Sequence, residues 1–182
     1  MIIGAQKSAS TLLHQCLAAH RKIYMPPQEV PLFEDPEYGQ LGIGSLHALF
    51  TRAPEGHLLG IKRPDYLAKP ECPARIRQHV PDAKLLATLR DPIDRAISAY
   101  YHYMREGWIS VRPLEEGMQM LLDGKHGSSH RRASEILQFG FYHRHLERYR
   151  QLFSSEQLLV MLHEDLSSGE LRAWDACTSS WV

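Results

Sequence analysis

The chain has 182 residues, 43% of them hydrophobic, with 21 basic side chains balanced against 21 acidic ones. That length suits one domain with a real core and excludes extended disorder, while the zero net charge excludes a broad attraction to nucleic acid or an anionic membrane. No apolar stretch approaches the roughly 18 residues of a membrane helix and no signal-peptide layout opens the chain, so the expectation is a cytoplasmic protein.

In chain order, the apolar run MII reads as a short buried strand ending at Gly4. The loop QKSAS leads from it into a helix over 11 to 20. Residues 25 to 57, punctuated by MPPQEVP and several glycines, read as irregular. HLLGI (57 to 61) and KLLATL (84 to 89) read as buried strands. A helix follows over 92 to 105, with Asp91 as N-cap and Pro92 in the first turn. Ile93, Ala96, Ile97, Tyr100, Tyr101 and Met104 recur there at helical spacing, and that face is expected in the core. DGKHGSSH (123 to 130) reads as irregular, 132 to 152 as helix and QLLVML (157 to 162) as a last buried strand. Strands alternating with helices predict an α/β fold, a parallel β-sheet flanked by helices.

Cys16, Cys72 and Cys177 are odd in number and show no paired or metal-ligand spacing, which reads as free thiols. His126 with His130 and His143 with His145 lack a carboxylate framework, so no metal site is expected.

The first loop carries the strongest chemical signal. A strand that passes through a tight turn into a helix aims backbone N–H groups at one spot, at the positive end of the helix dipole. Lys7 adds a full charge, Ser8, Ser10 and Thr11 supply hydroxyl donors, and the small Ala9 lets an anion approach. The lysine follows Gly4 by three residues with no second glycine, so the loop is not the G-x-x-x-x-G-K-[ST] of nucleoside triphosphatases. A second constellation is LLATLRDPIDRAISAYYHY. Arg90 ends a buried strand, so its guanidinium projects from the carboxyl edge of the sheet, where open α/β folds bind ligands. Ser98 lies about two helical turns further on, off the apolar stripe.

Together these segments resemble the two cofactor motifs of sulfotransferases that use 3'-phosphoadenosine 5'-phosphosulfate (PAPS). The resemblance implies that Lys7, Ser8, Ala9, Ser10 and Thr11 cradle the 5'-phosphosulfate. It further implies that Arg90 and Ser98, eight residues apart, hold the 3'-phosphate. PPQEVPLFED resembles the K-E-x-x-[FY]-F segment of the heparan sulfate-related members and implies Glu29 as general base. GIKRPDYL resembles G-E-K-[ST]-P-x-Y and places Lys62 near the transferred group, so that Glu29, Lys7 and Lys62 form the implied catalytic set. GFYHRHLERYRQLFSSEQLLVMLHEDL resembles a further family block; in the family manner Tyr142 would contact substrate, while the residue type itself favours a core or interface tyrosine. The implied fold is the P-loop nucleoside triphosphate hydrolase-like sulfotransferase fold. The implied reaction moves a sulfuryl group from PAPS to a hydroxyl or amine, on a carbohydrate for example, leaving 3'-phosphoadenosine 5'-phosphate (PAP) and needing no metal.

Departures from the family pattern lie at Ala9, where glycine is common and where an alanine requires negative φ, at Gln28 for a lysine, and at Arg63 for a small hydroxyl residue. After HEDLSS the family continues to a closing loop that AWDACTSSWV does not resemble. The expected organisation is therefore a sulfotransferase domain over 1–170, incomplete at its C-terminal end, and an unlike tail over 171–182. Two alternatives stay open: a catalytically inactive relative that binds nucleotide or a partner, and a nucleotide kinase-like phosphotransferase. Acceptor choice falls to residues 30 to 57 and 106 to 135, where Phe33, Tyr38 and Trp108 either stack on a sugar or pack.

Overall fold

Residues 1–125 and 132–167 are described by a computed structural model. The chain runs β1 (Ile2–Gly4), α1 (Ser10–Ala18), β2 (Ile23–Tyr24), α2 (Glu37–Leu41), α3 (Gly44–Ala48) and β3 (Leu58–Leu59). A 3-10 turn (Pro64–Leu67) precedes α4 (Cys72–His79), β4 (Leu85–Leu89), α5 (Pro92–Arg105) and α6 (Leu114–Leu122). The remainder is α7 (Glu135–Gln138), α8 (Tyr142–Arg150), β5 (Leu158–Leu162) and α9 (His163–Ser167).

The strands pair in parallel, in the order β1-β4-β5 with β2-β3 as a second ladder. The chain leaving β3 joins the two, because Ile2 N donates to Ile61 O (2.9 Å) and Arg63 N to Ile2 O (3.0 Å). The expected parallel α/β sheet is present, its carboxyl edge carrying Gly4, Lys62 and the residues after Leu89. Ile3, Leu85 and Ala87 pack on one face with Ile76, Leu146 and Tyr149. Ile2 and Leu86 pack on the other with Leu13 and Leu17 of α1. Such two-sided burial is what selects continuous apolar strands.

Several expectations change. Leu58 and Leu59 lie about half exposed at the sheet's edge, because β3 pairs there only with the two-residue β2. The helix expected over 132 to 152 is two helices. Gly140 packs 3.4 Å (as a notional Cβ) from Pro92, and its N–H bonds back to Leu137 O at 3.1 Å, which tightens and ends α7. Short helices α2 and α3 occupy part of the stretch read as irregular, and α6 arises where no element was expected.

α5 has the expected bounds, and Asp91 caps it by accepting from Ile93 N and Asp94 N. Its buried face is rotated from the expected one: Ile93 and Tyr101 are exposed, while Arg95, Ala96, Ala99, Tyr100 and Tyr103 are buried. The cause is the packing of α6 and α7 on α5. Arg95 donates to Ile136 O, and a Cβ on Gly117 would collide with the Tyr100 ring. The tail over 171–182, His126, His130 and Cys177 lie outside the described residues.

Candidate active site

β1 ends at Gly4 because no side chain fits there: a Cβ would stand 2.5 Å from Leu67 Cβ and 3.0 Å from Pro64 O. Ala5 N donates to Thr88 O (2.8 Å), and Thr88 Oγ1 donates to Gly4 O (3.3 Å), so the start of the loop is tied to β4. The loop then turns through two left-handed residues, Lys7 (φ 66°) and Ala9 (φ 64°). Negative φ was the condition for tolerating alanine at position 9, and the structure reverses it. The tight entry into α1 needs the conformation that the family's glycine adopts freely, at a cost to alanine of about 1–2 kcal/mol.

α1 begins with no side-chain cap and no acidic residue in its first turn, so its N-terminal dipole faces the loop uncompensated by the helix itself. Ser8 is fully buried, and its Oγ has no hydrogen-bond partner among the described residues. An orphaned buried hydroxyl beside an uncapped helix end is what an anion cradle leaves when protein groups alone are counted. The loop therefore fits the phosphosulfate that the sequence implied.

Cations gather around it. Burial lowers the Lys7 pKa, and the neighbouring positive charges of Arg105 and Arg90 lower it further. The loop lysine and Arg90 thus stand within electrostatic reach of one another. Among the described residues Arg90 makes a single long pair, with Asp94 (3.8 Å). Ser98 is half-buried on α5, on the i, i+4 stripe that continues to His102 and Arg105. Lys7 and Arg105 also act on His102, whose pKa falls, chiefly through burial. Arg105 Nη2 lies 2.9 Å from His102 Nδ1.

On the other side, one ammonium joins the loop to the candidate base. Lys62 is buried; its Nζ lies 3.1 Å from Glu29 Oε1 and donates to Thr11 Oγ1 at 3.2 Å. Val30 N donates to Lys62 O (3.0 Å), which ties the Glu29 segment to the backbone beside β1. Lys7, Ser8, Ala9, Ser10, Thr11, Lys62 and Glu29 thus converge on one edge of the sheet.

Sequence reading missed the layer behind them. Arg63 pairs with Glu29 Oε2 (3.0 Å), with Glu34 Oε1 and with Asp65 Oδ2 (3.3 Å). Asp65 also pairs with Arg132, which reaches Glu135 (2.6 Å), and Glu135 meets Lys69 (2.9 Å). Tyr103 OH donates to Glu135 Oε2 (3.0 Å). Gln6 Nε2 contacts Asp65 and Tyr103 at 3.4 Å each, bringing the network back to the loop. The only sequence signal was Arg63 in a position expected to hold a small hydroxyl.

Of the acceptor-side aromatics, Phe33 is buried against Tyr66, and Tyr38 is taken up by His79 and Arg75. Trp108 stands by Tyr103 (5.0 Å) and under Arg132 (5.1 Å), next to the site. Tyr142 is half-buried at the start of α8, its hydroxyl among the buried groups without a hydrogen-bond partner in the described residues. A cavity of about 440 Å³ bordered by Met1, Leu17, Leu46, Phe50 and Lys84 contains none of the candidate site residues. Among the described residues no group of His, Cys, Asp and Glu could hold a metal ion, and no helix is long and apolar enough to cross a membrane.

The parallel sheet thus carries, at one edge, a loop with an orphaned buried hydroxyl after its first strand and a second basic residue after β4. The Sulfotransferase domain family matches residues 1–170, and the chain belongs to that family. It is 32% identical over 176 residues to mouse heparan sulfate glucosamine 3-O-sulfotransferase 3A1, covering 94% of this chain and 43% of that protein. Human 3-O-sulfotransferase 6 is 29% identical over 171 residues, covering 92% and 47%. The chain thus spans less than half the length of these relatives. A solved sulfotransferase from Alicyclobacillus acidocaldarius superposes with a TM-score of 0.82 at 25% identity, covering 98% of this chain and 78% of that one. Mouse sulfotransferase SULT7A1 complexed with PAP shares the fold, with a TM-score of 0.62 at 15% identity over 98% and 56% of the two chains.

Proposed function

We propose that this chain is a PAPS-dependent sulfotransferase domain that transfers a sulfuryl group to a hydroxyl or amine of a carbohydrate acceptor. The observation that carries the reading is the Lys62 ammonium, held between Thr11 of the anion loop and Glu29. It supports the reading because the first loop and the Glu29 carboxylate flank one positive charge. The heparan sulfate relatives support a carbohydrate as acceptor.

PAPS, when bound, supplies an activated sulfuryl group on a phosphate leaving group. Lys7, Ser8, Ser10, Thr11 and the backbone from Ala9 would hold its phosphosulfate end, and Arg90 with Ser98 its 3'-phosphate. Glu29, part exposed, would take the proton from the acceptor hydroxyl or amine as the new S–O or S–N bond forms and the bond from sulfur to the phosphate's bridging oxygen breaks. Lys7 and the α1 N-terminus stabilise the negative charge that gathers on the departing phosphate. Lys62 sits where charge passes from acceptor to leaving group, and positioning plus fixed charge carries the rest, as in phosphoryl transfer.

Incubation with [35S]PAPS and a panel of hydroxyl- and amine-bearing oligosaccharides tests the proposal. Label is expected in at least one acceptor with wild type and at least about a hundredfold less of it with Glu29→Gln. PAP binding with no labelled acceptor would favour a nucleotide-binding module instead.

A further inference from the structure

We propose that Arg63 is a positioning residue of this site, fixing the orientation of the Glu29 carboxylate and coupling it to the buried acid Glu34. The inference rests on reading Glu29 as the proton acceptor.

Glu29 is held at both oxygens, Oε1 by Lys62 Nζ (3.1 Å) and Oε2 by Arg63 Nη1 (3.0 Å). A carboxylate gripped at one oxygen pivots about that contact; gripped at both, it presents its remaining lone pairs in one direction. Orientation matters here because the Glu29 side chain is 40% exposed and, among the described residues, its ion pairs are with Lys62 and Arg63 alone. Arg63 itself is rigid. Its backbone N–H bonds Ile2 O beside β1, and its second terminal nitrogen is anchored on Glu34 and Asp65, whose side chains are 4% and 5% exposed. The guanidinium reaches Glu29 from one terminal nitrogen and Glu34 and Asp65 from the other in a fixed planar fork, a geometry that a compact ammonium matches less well and a small hydroxyl not at all.

The anchor responds to protonation. Burial pushes the Glu34 carboxyl up to about 7, and Asp65 adds to the rise while Arg63 and Lys69 oppose it. Tyr66 and Cys72 also face Glu34, both with raised pKa values and therefore neutral over this range. A charged Glu34 shares the guanidinium with Glu29 and Asp65. A protonated Glu34 releases its share, and Arg63 then pairs more fully with the other two.

Carboxyl-carbon NMR of glutamate-labelled protein, titrated from pH 5 to 9, reads this directly without an acceptor. In wild type the Glu29 signal is expected to show an inflection near pH 7 that tracks the Glu34 signal. Arg63→Thr and Glu34→Gln should each abolish it, and Arg63→Lys should keep a reduced one, guarding against a threonine variant that does not fold. Calorimetric PAP affinity on the same samples should change less than about threefold, since the ion pairs of Arg63 among the described residues are with Glu29, Glu34 and Asp65 and not with Lys7 to Thr11. Absence of the inflection in wild type, or its persistence in a folded Arg63→Thr or Glu34→Gln protein, overturns the proposal. Transfer activity undiminished in Glu29→Gln would instead remove the base assignment while leaving the coupling intact, so the two ideas fail separately.

Discussion

The two halves of the site handle charge in opposite ways. Around the first loop, Lys7 is buried beside the positive charges of Arg105 and Arg90, and the acidic contacts among the described residues are at Asp94 and Glu106. Around Glu29, the cations Lys62, Arg63, Lys69 and Arg132 are matched against Glu29, Glu34, Asp65 and Glu135. The first region is relieved by an incoming anion, so its repulsion becomes binding energy for the donor. The second already matches its cations with carboxylates and is buried at Glu34 and Asp65, so it gains little from an added charge and acts as a frame that aims one carboxylate.

That contrast predicts separable losses. The largest is expected from Glu29→Gln, which should cut sulfuryl transfer by about 10²–10⁴-fold, the usual worth of a positioned proton acceptor, with calorimetric PAP affinity nearly unchanged. Lys7→Ala and Arg90→Ala should each weaken PAP by about tenfold or more, the worth of a charge-assisted contact. Equal loss of PAP affinity in all three variants would erase the division between the two regions.

Smaller effects sharpen it. Glu34 has its folded pKa raised from the ordinary 4.5 to about 7, so between those values the native state binds more protons than the unfolded one. Its contribution is therefore fully present below pH 4.5 and is lost as pH rises through 7. Thermal melts from pH 5 to 8 should show wild type losing stability with rising pH relative to Glu34→Gln; parallel curves would contradict the buried-acid assignment. Ala9→Gly should relieve left-handed strain of about 1–2 kcal/mol against an entropic cost of about 0.5–1 kcal/mol. The net gain raises the melting temperature by about 1–4 °C, and a lower value would mean the loop is not strained at Ala9.

Local signals carried much of this architecture. The apolar runs at β1, β4 and β5 and the Asp91–Pro92 start of α5 could be read because each is set by burial or capping within a few residues. The exposed face of α5 could not, since Arg95 is buried only because α7, forty residues on, offers the Ile136 carbonyl. For the same reason Lys62 and Glu29 were legible as motif members, whereas the frame behind them was not. Arg63, Asp65, Arg132 and Glu135 are brought together by tertiary packing, and no periodicity in the chain connects them.

The account stands on the first loop and Arg90 gripping opposite ends of one nucleotide. Calorimetric titration of the folded wild-type chain with PAP, and separately with ATP, tests this most directly. One PAP site per chain is expected, with ATP bound far more weakly because it lacks the 3'-phosphate that Arg90 and Ser98 would hold. A folded sample that takes up ATP as well as PAP, or takes up neither, contradicts it.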